Sequence, residues 1–332
     1  MSTGVGQHSF CGSSNVPVVV NLPGQFLGVT SRDMGPEIVI DNKRVLVTRY
    51  VVRTVKLRSE YYECIDDPRD FVDKLKDAGV KGDLFTFLQE IGDTDPKHSF
   101  RLEWDSLAVL PVSTYENWWK KQINDKTRNM VRKAHKAGVE LQTMEFNDDL
   151  IRRIKDVYDE SPLRQGKRFT HYGKDLDTLR REHSSFLERS DFIGAFYGDE
   201  LIGFIKLVHG RNASSLLQIV SKLAHRDKAP TNALIAKAVE ICAQRNTRYL
   251  HYGVWSKRGL GDFKHHHGFE RMSIPRYFIP MTVTGKVILR LNCHHKPTYY
   301  LPDNWKEKWV ALRGRWSLWR YRGYGYCKSN GR

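Results

Sequence analysis

Cysteine is scarce in this chain. Its five residues (Cys11, Cys64, Cys242, Cys293, Cys327) are scattered, odd in number and never paired as CxxC. That excludes a dense disulfide framework and a zinc ribbon, and points to reduced thiols. Long apolar runs are also missing. Val16–Val20, Val45–Val47, Leu107–Val112 and Phe278–Met281 fall far short of the ~20 residues of a membrane span. The opening MSTGVGQHSFCGSSN lacks the basic and apolar regions of a secretory signal, so a soluble, cytoplasmic protein is expected. Acidic residues are the minority: 38 Asp and Glu face 54 Lys and Arg, for a net charge of +16. The excess points to phosphate-bearing partners, among them nucleotides, tRNA, DNA or an anionic cofactor. It is uneven as well, with 11 basic against 2 acidic residues from Thr282 to Arg332, and 7 against 2 from Thr114 to Ala137.

The 332 residues, 40% hydrophobic, can bury a substantial core and can hold two domains. Residues 1–15 read as a loose tail. Residues 16–66 carry short strand-like runs (VPVVVNL, EIVIDN, KRVLVTRYVVRTVKL) broken by LPGQ and DMGP. A helix opens at Asp66-Asp67-Pro68 and closes at Gly79, a second is expected around Gly82–Ile91, and 101–112 reads as a strand. Thr114–Ala137, free of Gly and Pro, predicts one long basic helix ended by Gly138. From 139 to 284 the expected order is β-α-α-β-β-β-α-β-α-β. It includes a hairpin over 191–210 turning at Gly198-Asp199-Glu200, and a helix over Thr231–Arg245.

Three pieces of this order carry a resemblance: KTRNMVRKAHKAGVEL (126–141), YGDELIGFIKLVHGRNASSLLQIVS (197–221) and HYGVWSKRGLGDFKHHHGFE (251–270). Together they resemble the GNAT superfamily, and more narrowly its Fem-type branch of peptidoglycan-bridge aminoacyltransferases and acetyltransferase-like relatives. The resemblance implies an α/β (α+β) tandem GNAT-like fold with mixed, mostly antiparallel sheets and flanking helices. The expected division is a degenerate first half over 16–113, a basic linking helix over 114–138, a transferase domain over 139–285 and a basic aromatic extension over 286–332. The implied function is an N-acyltransferase. It would move an acyl or aminoacyl group from acyl-CoA or aminoacyl-tRNA to an acceptor amine by direct attack, without a metal. Two alternatives keep the fold: transfer onto an amine of a nucleic acid, or a nucleic-acid-binding protein without catalysis. The sequence leaves the oligomeric state open.

Candidate site residues follow the chemistry. A helix N-terminus attracts phosphate through its N–H groups and dipole. The helix after RDKAPTN (226–232) therefore offers Arg226, Lys228, Thr231 and Asn232 to a donor phosphate, with either Pro230 in its first turn or Thr231 as its cap. The loop lacks the glycines usual in GNAT enzymes. In the Fem-type pattern Lys264, of the Phe263-Lys264 pair, balances charge developing during transfer; a fixed ammonium stabilises an oxyanion, though a surface lysine also fits. Tyr252 is the candidate proton donor; His251, on the opposite face of the same strand, fits a core role better. Arg164, Arg168 and Tyr172, in a basic loop with His171, and Trp255 and Phe263 are candidates for holding substrate. Gln218 lies on a strand that would flank the cleft. His265-His266-His267 and Cys293-His294-His295 invite a metal. Successive helical residues point about 100° apart, however, and cannot converge on one ion without distant partners. In the C-terminal segment Trp305, Trp309, Leu312, Trp316 and Trp319 have helical spacing suited to docking on the protein's own core. The interleaved Lys and Arg equally suit stacking and phosphate contacts with a nucleic acid.

Overall fold

The computed structural model describes residues 37–49, 51–164, 167–256 and 259–295, with Val19, Val20 and Tyr299. The aromatic C-terminal segment and Gln165-Gly166 lie outside them. In chain order the elements are β1 (Val19–Val20), β2 (Glu37–Ile40), β3 (Lys43–Arg49), β4 (Arg53–Leu57), α1 (Pro68–Asp77), β5 (Leu84–Leu88), β6 (Arg101–Pro111), α2 (Tyr115–Asn117) and α3 (Asp125–Lys136). Then come β7 (Val139–Met144), α4 (Asp148–Asp159), β8 (Leu163–Arg164), β9 (Lys167–Arg168), α5 (Leu176–His183), β10 (Ser190–Tyr197), β11 (Glu200–His209) and β12 (Ala213–Ser221). The last are α6 (Pro230–Gln244), β13 (Tyr249–Val254), α7 (Gly259–His266), β14 (Glu270–Pro280) and α8 (Val283–Arg290). No helix among the described residues is long and apolar enough to cross a membrane.

The chain separates into two compact units. The first comprises residues 1–59, 65–86 and 279–293. Its strands run in the order β1-β2-β3-β4-β5, antiparallel except for β4 beside β5. Asp67 caps α1 by accepting from the N–H groups of Arg69 and Asp70, and Asp83 accepts from the Arg53 guanidinium at 3.1 Å.

The second unit holds 60–64, 87–278 and 294–332. Its sheet has the order β14-β6-β13-β12-β11-β10-β7, antiparallel throughout except where β12 meets β13. β6, which the sequence assigns to the first half, is paired here between β14 and β13. Neighbouring residues point to opposite faces. Ile193 and Ile205 join α3 and α6 in one core, while Phe192 and Phe204 join α4 and α5 in another. Nine residues of α6 are buried, so it serves as a core helix rather than a surface one.

Two expectations need correction. The helix expected around Gly82–Ile91 is β5: LFTFL is buried at every position, and periodicity cannot tell a fully buried strand from a helix. The single basic helix over 114–137 is broken. A π-helical turn over Trp118–Gln122 follows α2, Ile123 is extended, and Asn124 caps α3 by accepting from Thr127 N–H at 2.9 Å. The capping geometry of Asn124 requires extended backbone, which no continuous helix allows. The basic loop that carries Arg164, Arg168 and Tyr172 contains the small β8–β9 ladder.

Candidate active site

The parallel contact of β12 with β13 lasts only three residue pairs, Ala213–Tyr249 to Ser215–His251. Beyond it β12 runs on to Ser221 and β13 to Val254 without pairing to each other. Two parallel strands that part leave inward-facing backbone groups available to a ligand. Gly253 sits on the β13 arm with φ +65°, facing open space.

Lys264 closes this end of β13. Its side chain is buried, and Nζ donates to the carbonyls of Tyr252 at 2.7 Å and Val254 at 2.8 Å, the two that flank Gly253. Of its three N–H bonds, these contacts use two among the described residues. The ammonium lies 4.7 Å from the centre of the Tyr252 ring. Burial lowers its pKa to about 8, so it remains protonated at neutral pH but close to titration. Burial also raises the Tyr252 hydroxyl to about 12, which keeps it a proton donor. The position of α7 depends on Gly261, where a Cβ would lie 2.0 Å from the carbonyl oxygen of Ser256.

The start of α6 is tied to α7. Asn232 Nδ2 donates to His267 Nε2 at 3.1 Å, while His267 Nδ1–H donates to Phe263 O at 2.8 Å. Burial lowers His267 to about 4, which keeps the ring neutral and able to accept from Asn232. Trp118 Nε1 donates to His267 O and Thr127 Oγ1 to His266 O, both at 2.9 Å. Thus His267 is a bracket, and His265 and His266 face outward.

At the other side of this helix start, Pro230 is the first helical residue and Ala229 precedes it with φ +54°. Thr231 is not the cap; its hydroxyl bonds Ser221 Oγ at 2.8 Å. Arg226 is exposed, and Lys228 lies over the Tyr197 ring at 4.7 Å and beside Asp227 at 3.6 Å.

The residues proposed for substrate disperse. Phe263 and Trp255 pack against the core that holds Tyr252. Arg168 and Tyr172 are exposed. Arg164 is committed to the protein: it donates to Ser221 O at 2.6 Å, Val157 O at 3.1 Å and Glu160 Oε2 at 3.2 Å. Glu160 in turn accepts from Leu223 N–H at 2.6 Å and Ala224 N–H at 2.8 Å. This pair braces the turn between β12 and α6; its i,i+4 spacing is visible in the sequence, where Arg164 alone is offered to substrate. Gln218 Nε2 meets His171 Nε2 at 3.1 Å, and His171 stacks on Tyr158. His251 is buried with Nδ1 3.2 Å from Ser215 Oγ and its ring beside Tyr61; burial lowers it to about 3.

Lys206 was missed. It is fully buried on β11, with Nζ donating to His183 O at 2.6 Å, to Ser185 O and to Ser185 Oγ at 3.3 Å. The signal was a lone lysine inside the apolar run LIGFIKLV. A groove of about 610 Å³, lined by His135, Gly138, Leu141, Lys237 and Glu240, involves none of the site candidates.

The sequence matches no protein-family model and no curated protein. Solved structures do match. The chain is 9% identical to FemX, with a TM-score of 0.52 over 76% of this chain and 89% of that one. It is 13% identical to L-PGS from Bacillus licheniformis, with a TM-score of 0.51 over 79% and 89%. A C-terminal domain assigned to a lysylphosphatidylglycerol synthetase of Agrobacterium fabrum gives 13% and 0.51 over 78% and 87%. The fold is GNAT-like, of the Fem-like kind. Its parted parallel strands are β12 and β13, and the helix that follows β12 is α6.

Proposed function

We propose that this chain is an N-acyltransferase that uses a phosphate-bearing acyl donor, acyl-CoA or aminoacyl-tRNA. The donor phosphates sit at the start of α6, where the helix dipole and the Arg226 and Lys228 of the preceding turn favour an anion. The donor carbonyl lies in the gap between β12 and β13. The acceptor nitrogen attacks it, and the third N–H of Lys264 stabilises the oxyanion that forms. When the tetrahedral species collapses, the bond to sulfur or ribose oxygen breaks. The leaving atom takes a proton from Tyr252, which regains one from the acceptor nitrogen through water. The observation that carries this reading is the bracket from Asn232 to His267, which ties the phosphate-attracting helix start to the helix bearing Lys264. The likeness to FemX supports it as fold analogy. The net charge of +16 favours aminoacyl-tRNA, the more phosphate-rich carrier.

Native intact-mass measurement after incubation with acetyl-CoA and, separately, with charged tRNA tests this. The expected result is a retained complex or adduct with one donor, weakened when Arg226 and Lys228 are both replaced by Ala. Retention of neither donor overturns the proposal. Salt separates the two carriers, since tRNA affinity falls steeply with ionic strength.

A further inference from the structure

The pair His294-His295 gains in three dimensions the distant partner that its sequence lacks. Arg290 ends α8, and Asn292 at φ +53° turns the chain out of it, so the two histidines do not obey helical spacing. Both rings direct Nε2 at a single carboxylate, that of Glu103 on β6, 191 residues away from His294. His294 Nε2 lies 2.7 Å from Oε1, and His295 Nε2 lies 3.0 Å from Oε2. The His294 side chain is 1% exposed, wedged edge-on against Phe278, with its Nδ1 buried and unpartnered. His295 and Glu103 are about one-fifth exposed, so the cluster opens to solvent on one side.

We propose that Glu103, His294 and His295 form a binding site for one divalent ion of the zinc class. One carboxylate with two imidazoles is a borderline donor set, suited to Zn²⁺ and poorly suited to Mg²⁺ or Ca²⁺, which prefer oxygen. The three ligand atoms lie within 4.8 Å of one another. A tetrahedral ion at about 2.0–2.2 Å from each ligand needs them roughly 3.3–3.6 Å apart, so small side-chain rotations suffice. Binding displaces the Nε2 protons that now bridge to Glu103, and each ring coordinates as a neutral imidazole with its one proton on Nδ1. Water fills the remaining coordination positions on the open side. The ion would staple the chain after α8 to β6. The site is independent of Lys264 and of the transferase reading.

The test uses the full chain without an affinity tag, stripped with chelator and titrated with Zn²⁺ against a chromophoric competitor. One equivalent should bind and raise the melting temperature. In Glu103→Gln and His295→Ala, Kd should rise on the order of a hundredfold or more, beyond what loss of an outer hydrogen-bond partner costs. Replacing both His265 and His266 by Ala should leave affinity unchanged. No stoichiometric binding, or binding undiminished in Glu103→Gln and His295→Ala, overturns the site. Should those variants fail to fold, Co²⁺ added to the wild-type chain decides. A visible spectrum of nitrogen and oxygen ligation supports the site, and a thiolate charge-transfer band overturns it.

Discussion

Two buried lysines in the same unit show how one side chain serves two ends. Lys206, in the middle of β11, has three acceptors for its three N–H bonds and lies against Phe192 at 5.3 Å, sealed between the sheet and α5. Lys264 has two, both on the strand that parts from β12, and retains one N–H at that edge among the described residues. Burial lowers both, Lys206 to about 7 and Lys264 to about 8. Low pKa alone therefore does not mark the lysine proposed to act in transfer. What separates them is spare hydrogen-bonding capacity next to an opening in the sheet.

Substitution should split the pair. Lys264→Met is expected to lower transfer by about 10²–10³, the usual consequence of losing one oxyanion donor, as read from single-turnover rates at saturating donor. Lys206→Met should instead leave transfer nearly intact. It should cost about 1–3 kcal/mol of stability, because the carbonyls of His183 and Ser185 lose their donor in the interior; urea unfolding measures this. Equal loss of transfer in both variants would erase the distinction. A smaller effect is expected of Asn232→Ala, which removes the bracket to His267. A misplaced helix start should weaken apparent donor affinity about tenfold, the worth of one ordinary hydrogen bond, while the rate at saturation changes little.

Much of this was legible in the residues. The hairpin of β10 and β11 follows from apolar runs around Gly198-Asp199, and α1 from Asp67 before Pro68. The Phe263-Lys264 pair stood out only through resemblance. Continuous burial concealed β5, since five successive inward residues carry no period. The break before α3 had a local signal, the cap Asn124, outweighed by the absence of Gly and Pro nearby. Arg164 reads as a substrate ligand because nothing in a basic loop shows that Glu160 and the backbone of Val157 and Ser221 hold it. The meeting of Glu103 with His294 and His295 had no local signal at all.

The pH dependence of single-turnover transfer tests the role of Lys264 most directly. Only its ammonium form has a third N–H for the oxyanion beyond the two given to Tyr252 O and Val254 O. With a folded pKa of about 8, the rate should therefore fall as pH rises through that value. The falling limb should vanish in Lys264→Met, leaving a low and flat profile, and persist in Lys206→Met. A limb near pH 8 that survives Lys264→Met would contradict the account.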